Sequence, residues 1–368
     1  MKDLNLIEII GILQSGKKSH TDVKKYFLDR IQKFDSKIWA YNYINNDNID
    51  TPPLDSLLAW VPIAVKDIFA EKWIVTTGAS DMLKDFTPPY DATVIKRLKD
   101  AWMSSLWKLN MDEFAMGSSW ENSAFWVTKN PHGTNRIPGG SSSWSAAAVA
   151  AWLVPAALGT DTWGSLRQPA GMCGVVGFRP GYGRNSRFWI MPMASSFDCP
   201  GTITQTVQDA ALLYEIMNGE DTQENSSLPE KDIIDTKIWE KSDLQWVKIW
   251  IPKEYFEEGL DIWVRKTIEI AIEKLKELGA EIKEVSLPMT KYAIAAYYII
   301  VPAEVSTNLA RLDGIRYWHN SELPNESLEE IYLHNRGEWL WDEPKRRSIL
   351  WSYVLSAGFY DAYYKKAA

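Results

Sequence analysis

Apolar positions in the first 45 residues recur at helical spacing, which predicts two amphipathic helices, with Ser19, His20, Thr21 and Asp22 supplying cap-type residues before VKKYFLDRIQKF. The Asn, Asp and Pro content of 46–55 marks a loop. VPIAVKD at 61–67 is a short apolar run ending in two charges, a candidate buried strand. A helical pattern over 91–101 precedes a second candidate strand, MSSLW, at 103–107. Residues 130–145 carry loop chemistry, NPHGTNRIPGGSSSWS. They lead into AAAVAAWLVPAAL at 146–158, which is apolar on every side and too short to cross a bilayer, so a helix buried in a large core is expected there. GVVGFRP at 174–180 reads as another buried strand.

The pattern changes at 220–245, a polar stretch expected to be an exposed connection. VKIWIP (247–252), an amphipathic run over 264–280 that ends around Gly279, and EIKEVSLP (281–288) together spell a β-α-β unit. Residues 290–368 are largely helical and aromatic in character, and no internal repeat appears. Strands alternating with helices favour an α/β protein built on a mixed sheet.

Composition narrows the function. The 368 residues are 46% hydrophobic and 24% charged, which excludes wholesale disorder. Forty basic against 48 acidic side chains give a net charge of −8, so no basic excess marks a nucleic-acid footprint. No apolar run is long enough to span a membrane and no signal-peptide core opens the chain, so the cytoplasm is the expected compartment. Two cysteines, Cys173 and Cys199, cannot build a disulfide framework or a four-ligand zinc site and read as small buried residues. The four histidines lack metal-ligand spacing, and neither GxSxG nor GxxxxGK[ST] occurs. A Ser-His-Asp hydrolase, a metal centre and a P-loop are therefore not expected.

Three pieces need a common explanation: Lys66 at the end of a buried strand, the GGSSS loop that contains Ser141, and DTWGSLRQPAG, which contains Ser165. Singly, each has a plain reading as a surface lysine, a flexible linker and a turn serine. Their order changes that reading, because a linker does not sit directly before an Ala-rich buried helix that leads to a second serine. IAVKD, RIPGGSSSWSAAAVAA and GTDTWGSLRQPAGMCGVVGFRPGYGR resemble the signature region of the amidase signature family. IPKEYFEEGLD, LPMTKYAIAAYYIIVPAEVSTNLARLDGIRY and RRSILWSYVLSAGFYDAYYKK resemble its branch of tRNA-dependent amidotransferase A subunits.

The resemblance implies one amidase-signature domain over 1–368, a central mixed β-sheet covered by helices on both sides, incomplete at the C-terminus. It implies a Ser-Ser-Lys triad: Lys66 as base, Ser141, on a cis peptide, as proton relay, and Ser165 as nucleophile. Backbone N–H groups of Thr162, Trp163, Gly164 and Ser165 are the implied oxyanion donors. Arg347, or the adjacent Arg346, is implied to grip the carboxylate of glutamine, although KRR at 345–347 also reads as a solvated helix face. Asp91, Asp112 and Glu113 read as loop-shaping carboxylates. The implied activity is glutamine hydrolysis supplying ammonia for converting Glu-tRNA(Gln) to Gln-tRNA(Gln). The chain itself would hold no cofactor; ATP and Mg2+ would belong to a partner B subunit, with a small C subunit completing the complex. A stand-alone amidase and a non-catalytic scaffold of the same fold are the rival readings.

Nineteen tryptophans outnumber eleven phenylalanines, although tryptophan is normally the scarcest residue. Set against the family motifs, Trp60, Trp73, Trp102, Trp107, Trp126, Trp144, Trp152, Trp163, Trp189, Trp246, Trp250, Trp318, Trp339, Trp341 and Trp351 stand where the family has glycine. A one-to-one exchange implies a coding rule, UGA read as glycine in the cell and written here as tryptophan. The indole of Trp163 is expected to occlude or misaim Ser165.

Overall fold

The computed structural model describes residues 1, 3–44, 53, 56–119, 121–235, 238–239, 241, 243–245, 247–315, 327–356 and 358–368. Most of the loop expected at 46–55 lies outside them, as do Trp246 and Trp318. The described chain divides into two compact units, one of residues 1–232 and 301–359, the other of 233–300 and 360–368.

In the first unit, Ser19 forms a capping box with Asp22 and opens α2 (His20–Ile38) as its cap chemistry predicts, and Asn5 does the same with Glu8 for α1 (Leu6–Gln14). A six-stranded sheet follows in the order β1-β3-β2-β4-β6-β5: β1 (Tyr41–Ile44), β2 (Pro62–Lys66), β3 (Ser104–Leu109), β4 (Ala156–Asp161), β5 (Val176–Phe178) and β6 (Cys199–Thr204). The central trio β3, β2 and β4 is parallel, whereas β1 and β6 join it antiparallel, as does β5 to β6, so the sheet is mixed. β2, β4 and β6 are buried along their whole length, which suits their mostly small and branched residues and makes Lys66, Thr160 and Asp161 buried polar exceptions at the strand ends. The helices of this unit include α3 (Thr93–Asp100), α4 (Ser143–Ala150), α5 (Arg167–Cys173) and α6 (Val207–Met217). The expected α/β class and mixed sheet are what the chain forms.

One expectation fails. The run 146–158 is not one buried helix: α4 stops at Ala150, and Ala156, Ala157 and Leu158 belong to β4. Trp152 takes a left-handed conformation (φ 57°) and Pro155 follows, and these two backbone features outweigh the uniform apolar composition. The strand at 174–180 is there as β5, half-buried rather than buried.

The second unit contains β7 (Lys248–Pro252), α7 (Ile262–Glu277) and β8 (Glu281–Val285), with β7 and β8 parallel, the expected β-α-β. Of the later helices, α8 (Ala293–Leu309) spans the division at residue 300, and α9 (Leu328–Trp339) and α10 (Asp342–Val354) belong to the first unit. Among the described residues, no helix is long and apolar enough to cross a membrane.

Six tryptophans, Trp39, Trp60, Trp73, Trp102, Trp152 and Trp189, hold φ between 57° and 66°. That region is comfortable for glycine and costs an ordinary L-residue about 1–2 kcal/mol. Trp144 is fully buried in α4, and among the described residues its indole nitrogen has no hydrogen-bond partner.

Candidate active site

β2 and β4 run side by side with Val65 opposite Leu158. Their carboxyl ends therefore carry Lys66 and the Thr160–Asp161 pair to one place. Lys66 is fully buried, and its Nζ lies 2.8 Å from Ser141 Oγ, 3.0 Å from Ser142 Oγ and 2.9 Å from Thr160 Oγ1. Burial lowers its pKa from 10.5 to about 7, against the opposing pull of Asp112, Asp198 and Asp161. A neutral amine has two N–H bonds and one lone pair. The Ser142 hydroxyl donates to Thr160 O at 3.2 Å, so its oxygen is turned to accept from Lys66. Two N–H bonds cannot serve three oxygens, so the lone pair faces one of the two remaining hydroxyls, Ser141 or Thr160.

A second buried lysine shows the contrast. Lys108 on β3 donates to Phe69 O (2.6 Å) and Thr76 Oγ1 (3.1 Å) and pairs with Asp67 Oδ1 at 3.5 Å. Burial lowers the pKa of Lys108 too, with Asp67 and Glu71 pulling against it, whereas the hydrogen-bond partners of Lys66 are neutral hydroxyls.

The Gly140–Ser141 peptide bond is cis. Gly140 N–H donates to Gln168 Oε1 (3.1 Å), and Ser142 N–H donates to Ser165 O (3.1 Å), so the serine loop is tied to the turn that carries Ser165. That turn is organised by Asp161, whose carboxylate accepts from Gly164 N (2.7 Å), Leu166 N (3.2 Å) and Arg167 N (3.4 Å) and from the Arg167 guanidinium at 3.0 and 3.1 Å. Burial pushes the Asp161 pKa up, but these donors outweigh it and hold the carboxyl below its ordinary value. Gly164, expected as an oxyanion donor, thus already spends its N–H on Asp161. Trp163 is 49% exposed while Ser165 is 8% exposed. Asp198 accepts from Thr162 Oγ1 at 2.6 Å and from Met193 and Ala194 N–H at 2.9 and 3.1 Å, and burial raises its pKa to about 6. A cavity of about 400 Å3, lined by Tyr90, Phe114, Arg187, Asn308 and Arg311 among others, reaches Thr160 and Asp198.

A buried lysine on a serine of a cis peptide, tied to a second serine on a strand-to-helix turn, is the arrangement that the signature motifs imply. A family model described as Amidase matches residues 22–368. The chain belongs to the amidase family. Among curated members it is 46% identical over 357 residues to the A subunit of glutamyl-tRNA(Gln) amidotransferase from Alkaliphilus metalliredigens, covering 94% of this chain and 72% of that protein. The corresponding protein of Persephonella marina is 48% identical over 348 residues, covering 94% and 69%. The crystal structure of the A subunit of Thermotoga maritima glutamyl-tRNA(Gln) amidotransferase superposes with a TM-score of 0.81 at 36% identity, covering 99% of this chain and 74% of that one. The peptide amidase of Stenotrophomonas maltophilia is more distant, at 25% identity and a TM-score of 0.78.

Of the other residues expected at this amidase site, Arg346 and Arg347 part company. Arg346 is exposed and pairs with Glu343, whereas the Arg347 side chain is 11% exposed, bonds Glu343 Oε1 through Nε at 2.8 Å and acts electrostatically on Asp112. The solvated-face reading suits Arg346 alone. Asp91 shapes its loop as expected, accepting from Lys72 N and Lys99 Nζ. Glu113 does likewise, taking hydrogen bonds from Ser80 Oγ and Trp341 N. Sequence reasoning missed Ser142, Thr160 and Asp161. Ser142 stood in plain view within GGSSS, and Thr160 is the one hydroxyl residue in the buried run AALGTD. Among the described residues, no group of three or more His, Cys, Asp or Glu side chains could hold a metal ion.

Proposed function

We propose that this chain is the glutamine amidase component of a tRNA-dependent amidotransferase. Neutral Lys66 takes the Ser141 proton as Ser141 takes that of Ser165. The Ser165 Oγ bonds to the side-chain carbonyl carbon of glutamine, and the carbonyl electron pair moves onto oxygen, facing the N–H groups of Thr162, Trp163 and Ser165. Collapse expels ammonia, which leaves with the proton returned through Ser141, and water then hydrolyses the γ-glutamyl-Ser165 ester. Arg347 is the partner for the substrate carboxylate, a task for which a guanidinium fork is shaped. In this reading the B subunit binds Glu-tRNA(Gln) and uses ATP and Mg2+, the C subunit completes the complex, and the released ammonia passes to the B subunit.

The observation that carries the reading is the 2.8 Å bond between Lys66 Nζ, buried and lowered to about 7, and Ser141 Oγ. The amidotransferase component is favoured over a stand-alone amidase by 46–48% identity to proteins of that name, against 25% to the peptide amidase. Ammonia release from glutamine, measured with and without the B and C subunits and Glu-tRNA(Gln), decides between them. Glutaminase activity that rises on addition of the partners is expected. Full turnover of unrelated amides by the chain alone, with glutamine ignored, would favour the stand-alone enzyme.

A further inference from the structure

Three carboxylates press electrostatically on Lys66: Asp112, Asp198 and Asp161. Two of them have both oxygens engaged, Asp161 by backbone N–H groups and Arg167, Asp198 by Thr162, Met193 and Ala194. Asp112 differs. It is fully buried, its Oδ1 accepts from Asn122 N at 3.2 Å, and among the described residues its Oδ2 has no hydrogen-bond partner. The orphaned oxygen lies against the serine loop. A Cβ at Gly140 would overlap Asp112 Oδ2, and one at Gly117 would overlap its Cγ and Oδ1. Only glycine at both places lets the carboxylate rest on the chain, and Gly140 is the residue whose cis peptide bond leads to Ser141. A buried carboxylate oxygen without a donor is costly, so its place beside a transiently cationic group calls for a function.

We propose that Asp112 is a positioning residue for the amidase reaction, the counter-charge to the ammonium that forms on Lys66 when Ser165 is acylated. The inference rests on the Ser165–Ser141–Lys66 reading above. In that step the Ser165 Oγ–C bond forms, the Ser165 proton moves to Ser141, and the Ser141 proton arrives on Lys66 Nζ. One unit of positive charge appears in a buried site whose hydroxyls cannot neutralise it. An ionised Asp112 offsets that charge without touching substrate. Burial raises the Asp112 pKa to about 6, with Lys66 and Arg347 among the groups holding it down, so it stays ionised in the range where Lys66 is the free amine. Its neighbour Glu113, raised by burial to about 7, faces Ser80, Asp81, Trp341 and Lys345 instead. By sequence Asp112 reads as a loop-shaping residue; in the fold it lies within electrostatic reach of the catalytic lysine.

The test is the pH dependence of Ser165 alkylation by 6-diazo-5-oxonorleucine, a glutamine analogue whose diazo carbon bonds to the activated hydroxyl oxygen with loss of dinitrogen, followed by mass spectrometry in the full-length protein. Asp112→Asn keeps the shape and removes the charge. Losing a negative neighbour favours the amine, so the acid limb should move down by about one pH unit. The plateau should fall roughly tenfold to a hundredfold, because the newly formed ammonium is no longer offset. Asp112→Ser, which leaves space for water, should move the limb the same way and serves if the amide does not fold. A folded variant with an unmoved limb, or failure of both variants to fold, would overturn the proposal and assign Asp112 to the fold. Ser165→Ala is run beside them: persistence of labelling there would instead overturn the nucleophile, whatever Asp112 does.

Discussion

At Lys66 the sign of the pH dependence follows from burial. The folded value of about 7 lies below the ordinary 10.5, so between these limits the unfolded chain binds the proton and the folded chain does not. Stability from this group therefore rises with pH across that window. Activity changes lower down, because only the amine can accept the Ser141 proton. Ammonia release should climb with pH through about 7 and level off above it, and at pH 6 should stand roughly tenfold below the plateau. A pH–rate profile of kcat/KM checks this, and a profile flat from 6 to 8 would count against Lys66 as the base. The tryptophans give the second expectation at this scale. Five of the fifteen positions matched to family glycines hold left-handed backbone, and Trp39, which was not among them, does too. Trp73 is 68% exposed and has little burial to lose, so Trp73→Gly should raise stability by about 1 kcal/mol in a denaturant titration. Peptide masses of the native protein should read glycine at 60, 73, 102, 152 and 189; tryptophan masses there would refute the coding rule.

Between β4 and α5, the turn that carries Ser165 depends on one carboxylate. Asp161 takes three backbone N–H groups and a guanidinium, and its own side chain is fully buried. Asp161→Asn weakens all of these at once. It should cost about 1–3 kcal/mol of stability, and, by letting the nucleophile drift, roughly a hundredfold in kcat. Thermal unfolding and turnover of the same variant read the two effects; unchanged kcat in a destabilised variant would separate the turn from catalysis. Much of the element order was legible because caps and periodicity are local: Ser19 and the alternation of strand and helix act within a few residues. The break of 146–158 into α4 and β4 was not legible, since it depends on a left-handed residue at 152 that composition disguises. Ser142 and Thr160 were missed for another reason. Their partnership with Lys66 exists only once β2 and β4 pair, and strand register across some ninety residues leaves no mark in a local pattern.

Across the first unit, the sheet brings the three signature segments together at the carboxyl ends of adjacent parallel strands, where α/β folds characteristically place their ligand sites. Lys66 closes β2, Asp161 closes β4, and the Ser141 loop is bonded to both ends through Lys66 and Ser165. The same topology accounts for chemistry without a histidine: a buried strand end can hold a lysine as the free amine, which a solvated loop cannot. The central claim is that Ser165 is the nucleophile that this assembly activates. Treating the purified protein with 6-diazo-5-oxonorleucine and mapping the adduct by tandem mass spectrometry tests it most directly. One label per chain on Ser165 is expected, lost in Ser165→Ala and slowed at least a hundredfold in Lys66→Ala and Ser141→Ala. A label on any other residue, or undiminished labelling of Ser165→Ala, would contradict the account.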